Sequence, residues 1–258
     1  MKTLGVVLCG WILMVPTWAS AQVAHGQVNW SDKTITATGS GAPSLKAPNV
    51  AVARLGAERA AKMDALRNIL EAVKGVRVES GKSAGDLMST AEVKSRVEGI
   101  VRDFKVMDTK YYSDGGVDVV VQVSIDGVLA EALVPNAGAK AAEPAAESGG
   151  VTGLIVNAKG LGVTPALAPK ILDEAGNEVY SVSNATSDAV KKHGVAGYTN
   201  ALDLAMKDGR VAEKPLVVRA QKLTQKGGSD LVIATEDAKK LANLGGVLAN
   251  SKVIIVTD

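Results

Sequence analysis

"TITATGSGAPSLKAPNVAVARLGAERAAKMDALRNILEAVKGVRVES", residues Thr34–Ser80, decides the reading of the fold. An alternating strand over Lys33–Thr38 leads into a loop marked by glycine and proline, and a long helix follows. Asn49 after Pro48 suits the helix N-cap, and Gly75 suits the C′ position. Helical spacing gathers Val52, Leu55, Met63, Leu66, Leu70 and Val73 into one apolar stripe, with Ile69 at its edge. Arg59 falls in the middle of that stripe, between Leu55, Met63 and Leu66. Two readings fit it. The side chain snorkels, its stem on the core and its head in water, or it pairs with a carboxylate at an interface, because burying a lone charge is costly.

Downstream, "STAEVKSRVEGIV" starts a second helix in which Ser89 and Glu92 have capping-box spacing. Val93, Val97, Ile100 and Val101 form its apolar face. Phe104–Tyr112 and Val117–Ile125 read as a hairpin across "SDGG", with Val119, Val121, Val123 and Ile125 on one side. Gly127–Leu133 is a short closing helix, and Val23–Ser31, apart from Trp30, reads as a loose leader. Strand, helix, helix, hairpin, helix describes a small α+β sandwich with one helical layer.

"VPNAGAKAAEPAAESGG", Val134–Gly150, has too little apolar bulk to offset the entropy of ordering and reads as a flexible linker over 135–150. It divides a first domain, 28–134, from a second, 151–258. The second reads as the strand "GLIVNA", the loop "KGLGVTPALAP", a hairpin in "KILDEAGNEVY" turning at Ala175-Gly176, and helices at Ser187–His193 and Thr199–Met206. The strands "PLVVRAQKL" and "SDLVIA" follow, then a helix capped by Thr235 with Glu236 and Asp237 in its first turn. The continuous apolar run of "KVIIVTD" suits a central, doubly covered strand. The expected fold class is α+β throughout: two small domains, each a sheet packed with helices, joined by a flexible linker. The second domain is open to an α/β reading.

Residues 1–21, "MKTLGVVLCGWILMVPTWASA", have the pattern of a cleaved signal peptide. Lys2 leads an apolar run too short to span a bilayer, and Ala19-Ser20-Ala21 supplies the small residues of a cleavage site. Cys9 sits inside the apolar run, a poor place for lipidation, and cleavage leaves a chain without cysteine. That removes disulfides, thiolate nucleophiles and cysteine metal sites. With 29 Lys and Arg against 27 Asp and Glu, the near-neutral balance gives no footprint for nucleic acid or an anionic membrane surface. At most, peripheral membrane association is expected.

Little in the chain resembles catalytic machinery. His25 lies in the loose leader, and His193 ends a helix, where the dipole favours a cation. The "GSG" at Gly39–Gly41 and the "GLG" at Gly160–Gly162 lack the strand–loop–helix context of a phosphate loop. Lys170, Asp173 and Glu174 alternate along a strand beside a turn, a solvated face. The expectation is no enzyme, no cofactor and no metal.

"TATGSGAP", "ARLGAERAAKMDALRNILEAVKGVRV" and "VRDFKVMDTKYYSDGGVDVVVQVSIDGVL" together resemble the Lpp-twenty family of small outer-membrane lipoproteins, which includes the flagellar assembly lipoprotein FlgP. The N-terminal domain of the flagellar protein FlgT is similar. Arg67-Asn68 and Asp114-Gly115 are the more specific marks, over about Ile35–Leu133. The resemblance implies a non-enzymatic envelope protein, in some members part of a ring or disk around the flagellar motor. The position of Cys9 departs from the lipoprotein pattern. The leading expectation is therefore a periplasmic structural or assembly protein, outer-membrane-associated, with copies of itself and other envelope proteins as partners. Arg59, Arg67 and Asn68 are its interface candidates. The alternative is a periplasmic glycan- or small-ligand-binding module, with Lys159, Gly160 and Gly162 in the ligand loop.

Overall fold

The computed structural model describes residues 26–134 and 150–258. The expected leader at 1–21, with Cys9, lies outside the described residues, as do His25 and positions 135–149 of the expected linker. Two sheet-based regions of mixed α and β structure result. In the first, β1 (Gln27–Asn29), β2 (Thr34–Gly41), β6 (Val117–Ser124) and β5 (Lys105–Tyr111) form an antiparallel sheet in the order β1-β2-β6-β5. The leader reading of Val23–Ser31 is corrected at Gln27–Asn29, which pair with Thr34–Thr36. Ile35, Ala37, Val119, Val121 and Val123 alternate onto the buried face, as a half-covered sheet requires.

Helix α1 (Val50–Gly75) lies on that face, and Asn49 caps it by accepting the Val52 N–H at 2.9 Å. Its buried residues are Ala57, Ala61, Ala65, Asn68, Ile69 and Val73, so of the stripe read from sequence only Val73, with Ile69 at its edge, is fully buried. The cause is on β2. A Cβ on Gly39 would stand 2.1 Å from the Ala65 nitrogen, and one on Gly41 1.9 Å from the Ala57 oxygen. Helix and strand backbones therefore touch, and only alanine fits between them. The glycines expected in a loop are the inner residues of a strand. Gly75 is the last helical residue, and Val76, in extended conformation, ends the helix.

The hairpin β3 (Arg77–Glu79)–β4 (Lys82–Ser83) follows. Helix α2 (Ala84–Leu87) holds the capping box, Ser83 with Asp86. Helix α3 (Ala91–Val101) has Thr90 at its N-cap without a side-chain bond, so the Ser89–Glu92 box does not form. Helix α4 (Val128–Leu133) closes the region.

The second region has seven strands: β7 (Gly153–Asn157), β8 (Ile171–Leu172), β9 (Glu178–Tyr180), β10 (Gly197–Thr199), β11 (Pro215–Leu223), β12 (Leu231–Ile233) and β13 (Val253–Val256). Their order is β10-β13-β7-β11-β12-β8-β9. The first four run parallel, which explains the apolar runs. In β7 and β13, Leu154, Val156, Val253 and Ile255 join the main core, while Ile155, Ile254 and Val256 face a smaller one with Ala205 and Val211. Helices α5 (Ser187–His193), α6 (Leu202–Lys207), α7 (Thr235–Leu241) and α8 (Gly245–Ala249) complete the region. Gly197–Thr199 is a strand, so the helix expected from Thr199 begins at Leu202. Ala234, not Thr235, takes the N-cap of α7; Glu174 from the β8–β9 turn accepts the Thr235 N–H and hydroxyl at 3.2 and 2.7 Å.

One hydrophobic core runs through both regions. Leu167 and Ala168 donate backbone N–H groups to Arg77 and Val78 at 2.9 and 2.7 Å. Trp30 stands edge-on to Tyr198 at 5.6 Å between centroids, and Lys191 pairs with Glu131 at 3.3 Å. Among the described residues, no helix is long and apolar enough to cross a membrane.

Candidate functional sites

The interface candidates separate. Arg59 is exposed on α1. Arg67 is exposed too, 3.6 Å from Asp64. Asn68 is buried, and its Nδ2 donates to the Thr38 carbonyl at 2.8 Å, tying helix to strand. That bond gives it a structural role in the first region. In the proposed ligand loop, Gly160 and Gly162 donate their N–H groups to the Asp258 carboxylate at 2.8 and 3.2 Å. Lys159 donates its own N–H to Asn157 Oδ1 at 3.2 Å. The loop does form an anion-receiving turn, with positive φ at both glycines, but the chain's own carboxylate fills it.

Apart from Val73, the stripe read from sequence persists on the side of α1 away from the fully buried face. Its C-terminal half is covered: Leu66 and Leu70 pack on the core, as do Val93 and Ile100 of α3. Its N-terminal half is bare, with Leu55 57% and Met63 63% exposed and Val52 beside them. At the helix start this ridge borders a groove of about 620 Å³ lined by Val50, Ala51, Arg54, Leu55, Glu58 and Tyr111. Arg54 sits 5.7 Å from the Tyr111 ring centroid, and the Tyr111 hydroxyl donates to Glu58 Oε2 at 3.1 Å. Lys62 donates to Glu58 Oε1 at 2.7 Å. That bond, then the one from Tyr111, holds the Glu58 carboxyl below its ordinary range, while the Glu58 bond pushes the Tyr111 hydroxyl up. The groove is thus a fixed wall of aromatic and charged groups.

A second concentration of function-bearing side chains lies where α5 ends. Arg210 is only 9% exposed. Its Nη2 donates to the carbonyls of His193 and Gly194, and Lys33 Nζ donates to the same His193 oxygen at 2.6 Å. Burial, reinforced by Arg210, lowers the Lys33 ammonium to about 8. Burial, then Arg210, Lys33 and Lys192, lowers the His193 imidazole. Two clefts meet here, of about 640 and 250 Å³, and share His193, Gly209 and Arg210. Sequence reasoning missed Arg210, which stands in the polar stretch "KDGRVAEK" with no local signal of burial. Among the described residues, no group of three or more His, Cys, Asp or Glu side chains is arranged to hold a metal.

Residues 153–258 match the family model for the second domain of Treponema pallidum Tp0624. The match takes in the strands and helices of the second region and stops short of the first. No curated protein matches the chain.

Proposed function

We propose that this chain is a non-enzymatic periplasmic assembly protein that associates with copies of itself through the bare half of the α1 ridge. The observation that carries this reading is a helix with two apolar faces, one fully used by the sheet and the other left half uncovered at Val52, Leu55 and Met63. Such a ridge costs solubility unless something covers it. A second copy suits it because equivalent ridges can close on each other in a two-fold contact that covers Val52, Leu55 and Met63 of both copies. The sheet edge at β5 is a poorer route, since Lys105, Asp108 and Lys110 line it. Export rests on the leader pattern at residues 1–21. An envelope role, at the outer membrane and in flagellar assembly, rests on the resemblance to the Lpp-twenty family. The basic cleft at Arg210 favours a second reading, small-ligand binding.

Expression of the full chain with Leu55→Cys tests the assembly reading. The only native cysteine is Cys9, in the expected leader, so a cross-link reports the introduced thiol in an oxidising compartment. A disulfide-linked dimer in the periplasmic fraction is expected for Leu55→Cys and not for Lys239→Cys, on exposed α7. Equal cross-linking at both positions, or none at Leu55→Cys, overturns the reading.

A further inference from the structure

We infer that the cleft around Arg210 binds a small oxyanion, a phosphate or carboxylate group carried by a soluble ligand. Arg210 Nη2 and Lys33 Nζ have a sufficient structural role, since both cap the carbonyl end of α5. That role leaves Arg210 Nε and Nη1 unexplained. Both are buried, and no described residue accepts a hydrogen bond from either. Leaving buried charged donors without acceptors is costly, and removing the charge from water costs more unless an anion answers it. The nearest acidic residue in the chain, Asp208, turns its Oδ1 to the Arg210 backbone N–H at 2.8 Å. Neither Arg210 nor Lys33 takes part in any of the ion pairs among the described residues.

Basic groups outnumber acidic ones around it. Lys33 enters from the β1–β2 turn, His193 and Lys192 from α5, Arg210 from the turn after α6, and Lys252 from the approach to β13. Against them stand Asp126, Asp188 and Asp208. Holding Lys33 and Arg210 on one carbonyl places two cations together, an arrangement that an anion between them relieves. Nη1 lies against Gly197, where a Cβ would come within 2.7 Å of it, so the strand leaves space for the guanidinium head. Arg210 lines both clefts. Oxyanion recognition by a forked guanidinium with a neighbouring ammonium is the chemistry such donors perform best.

The test is calorimetric titration of the full chain with inorganic phosphate and, separately, acetate, at low ionic strength matched with chloride. Saturable one-to-one binding of at least one is expected; tighter phosphate identifies a phosphoryl ligand and tighter acetate a carboxylate. Lys33→Gln and Arg210→Gln should each weaken binding at least about tenfold, the scale of one charge-assisted hydrogen bond. Affinity in the unaltered chain should fall as pH rises through about 8, where Lys33 loses its proton, and Lys33→Gln should abolish that fall. If Arg210→Gln does not fold, Lys33→Gln, whose residue is part-exposed, carries the decision. Absence of saturable binding for both anions, or undiminished binding in Lys33→Gln, overturns the inference.

Discussion

Single residues set the distance between α1 and its sheet. Gly41 and Gly56 look alike in the sequence, yet their surroundings are opposite. A Cβ on Gly41 would collide with the Ala57 carbonyl at 1.9 Å, whereas one on Gly56 meets nothing within 4 Å. Gly41→Ala should therefore destabilise the protein by about 3 kcal/mol or more, because backbone stands in the way and cannot yield as a side chain does. Gly56→Ala, in the helix interior, should stabilise it by about 0.5–1 kcal/mol. Chemical denaturation of both variants checks the pair, and equal effects would mean that helix and strand do not touch. Asn49 was legible at this scale, because an N-cap is a local device that depends on a few neighbouring residues. Glu174 was not: it caps a helix that starts 61 residues later, and only the tertiary fold brings it there. Arg210 was hidden for the same reason.

At the scale of elements, most of the architecture could be read ahead. The hairpin β5–β6, the helix Ser187–His193 and the buried strand β13 stand where periodicity and turn residues put them. Helix α1 was found, and Val73 and Ile69 are buried as read, but the rest of the stripe was placed on the wrong face. Large apolar residues dominate a periodicity reading, and alanine adds little to it. Here close approach selects alanine for the sheet face, and the larger side chains lie on the outside. The same error explains Arg59. Placed on the supposed core stripe it had two readings, a snorkelling side chain or a pair at an interface; within one copy it is exposed on α1, and Arg59→Met should shift the unfolding free energy by less than about 1 kcal/mol. Thermal unfolding of that variant checks it; a larger loss would mean that the guanidinium holds a contact the fold depends on. Periodicity also could not tell which half of the ridge α3 would leave bare, since that depends on how two helices pack.

At the scale of the whole molecule, the two regions share one core across the Leu167–Arg77 and Trp30–Tyr198 contacts. Composition marked the break between them but could not reveal the contacts across it, which join residues far apart in the chain. In a chain starting at Gln22, Trp30 is the only tryptophan, and its ring rests on Tyr198 of the second region. Its fluorescence therefore reports the seam, while circular dichroism reports the helices and strands of both regions. The two signals should change together in one cooperative transition. An earlier tryptophan change, with the dichroism intact, would mean that the regions part before either unfolds.

Self-association through the outer ridge of α1 is the central claim, and sedimentation velocity across a concentration series tests it most directly. The chain starting at Gln22 should sediment as an oligomer that dissociates on dilution. Leu55→Glu combined with Met63→Glu should sediment as a monomer at every concentration, with unfolding changed by no more than about 0.5 kcal/mol, because both side chains already face solvent within one copy. An unaltered chain that stays monomeric throughout the series, or a double variant that still associates, would contradict the account.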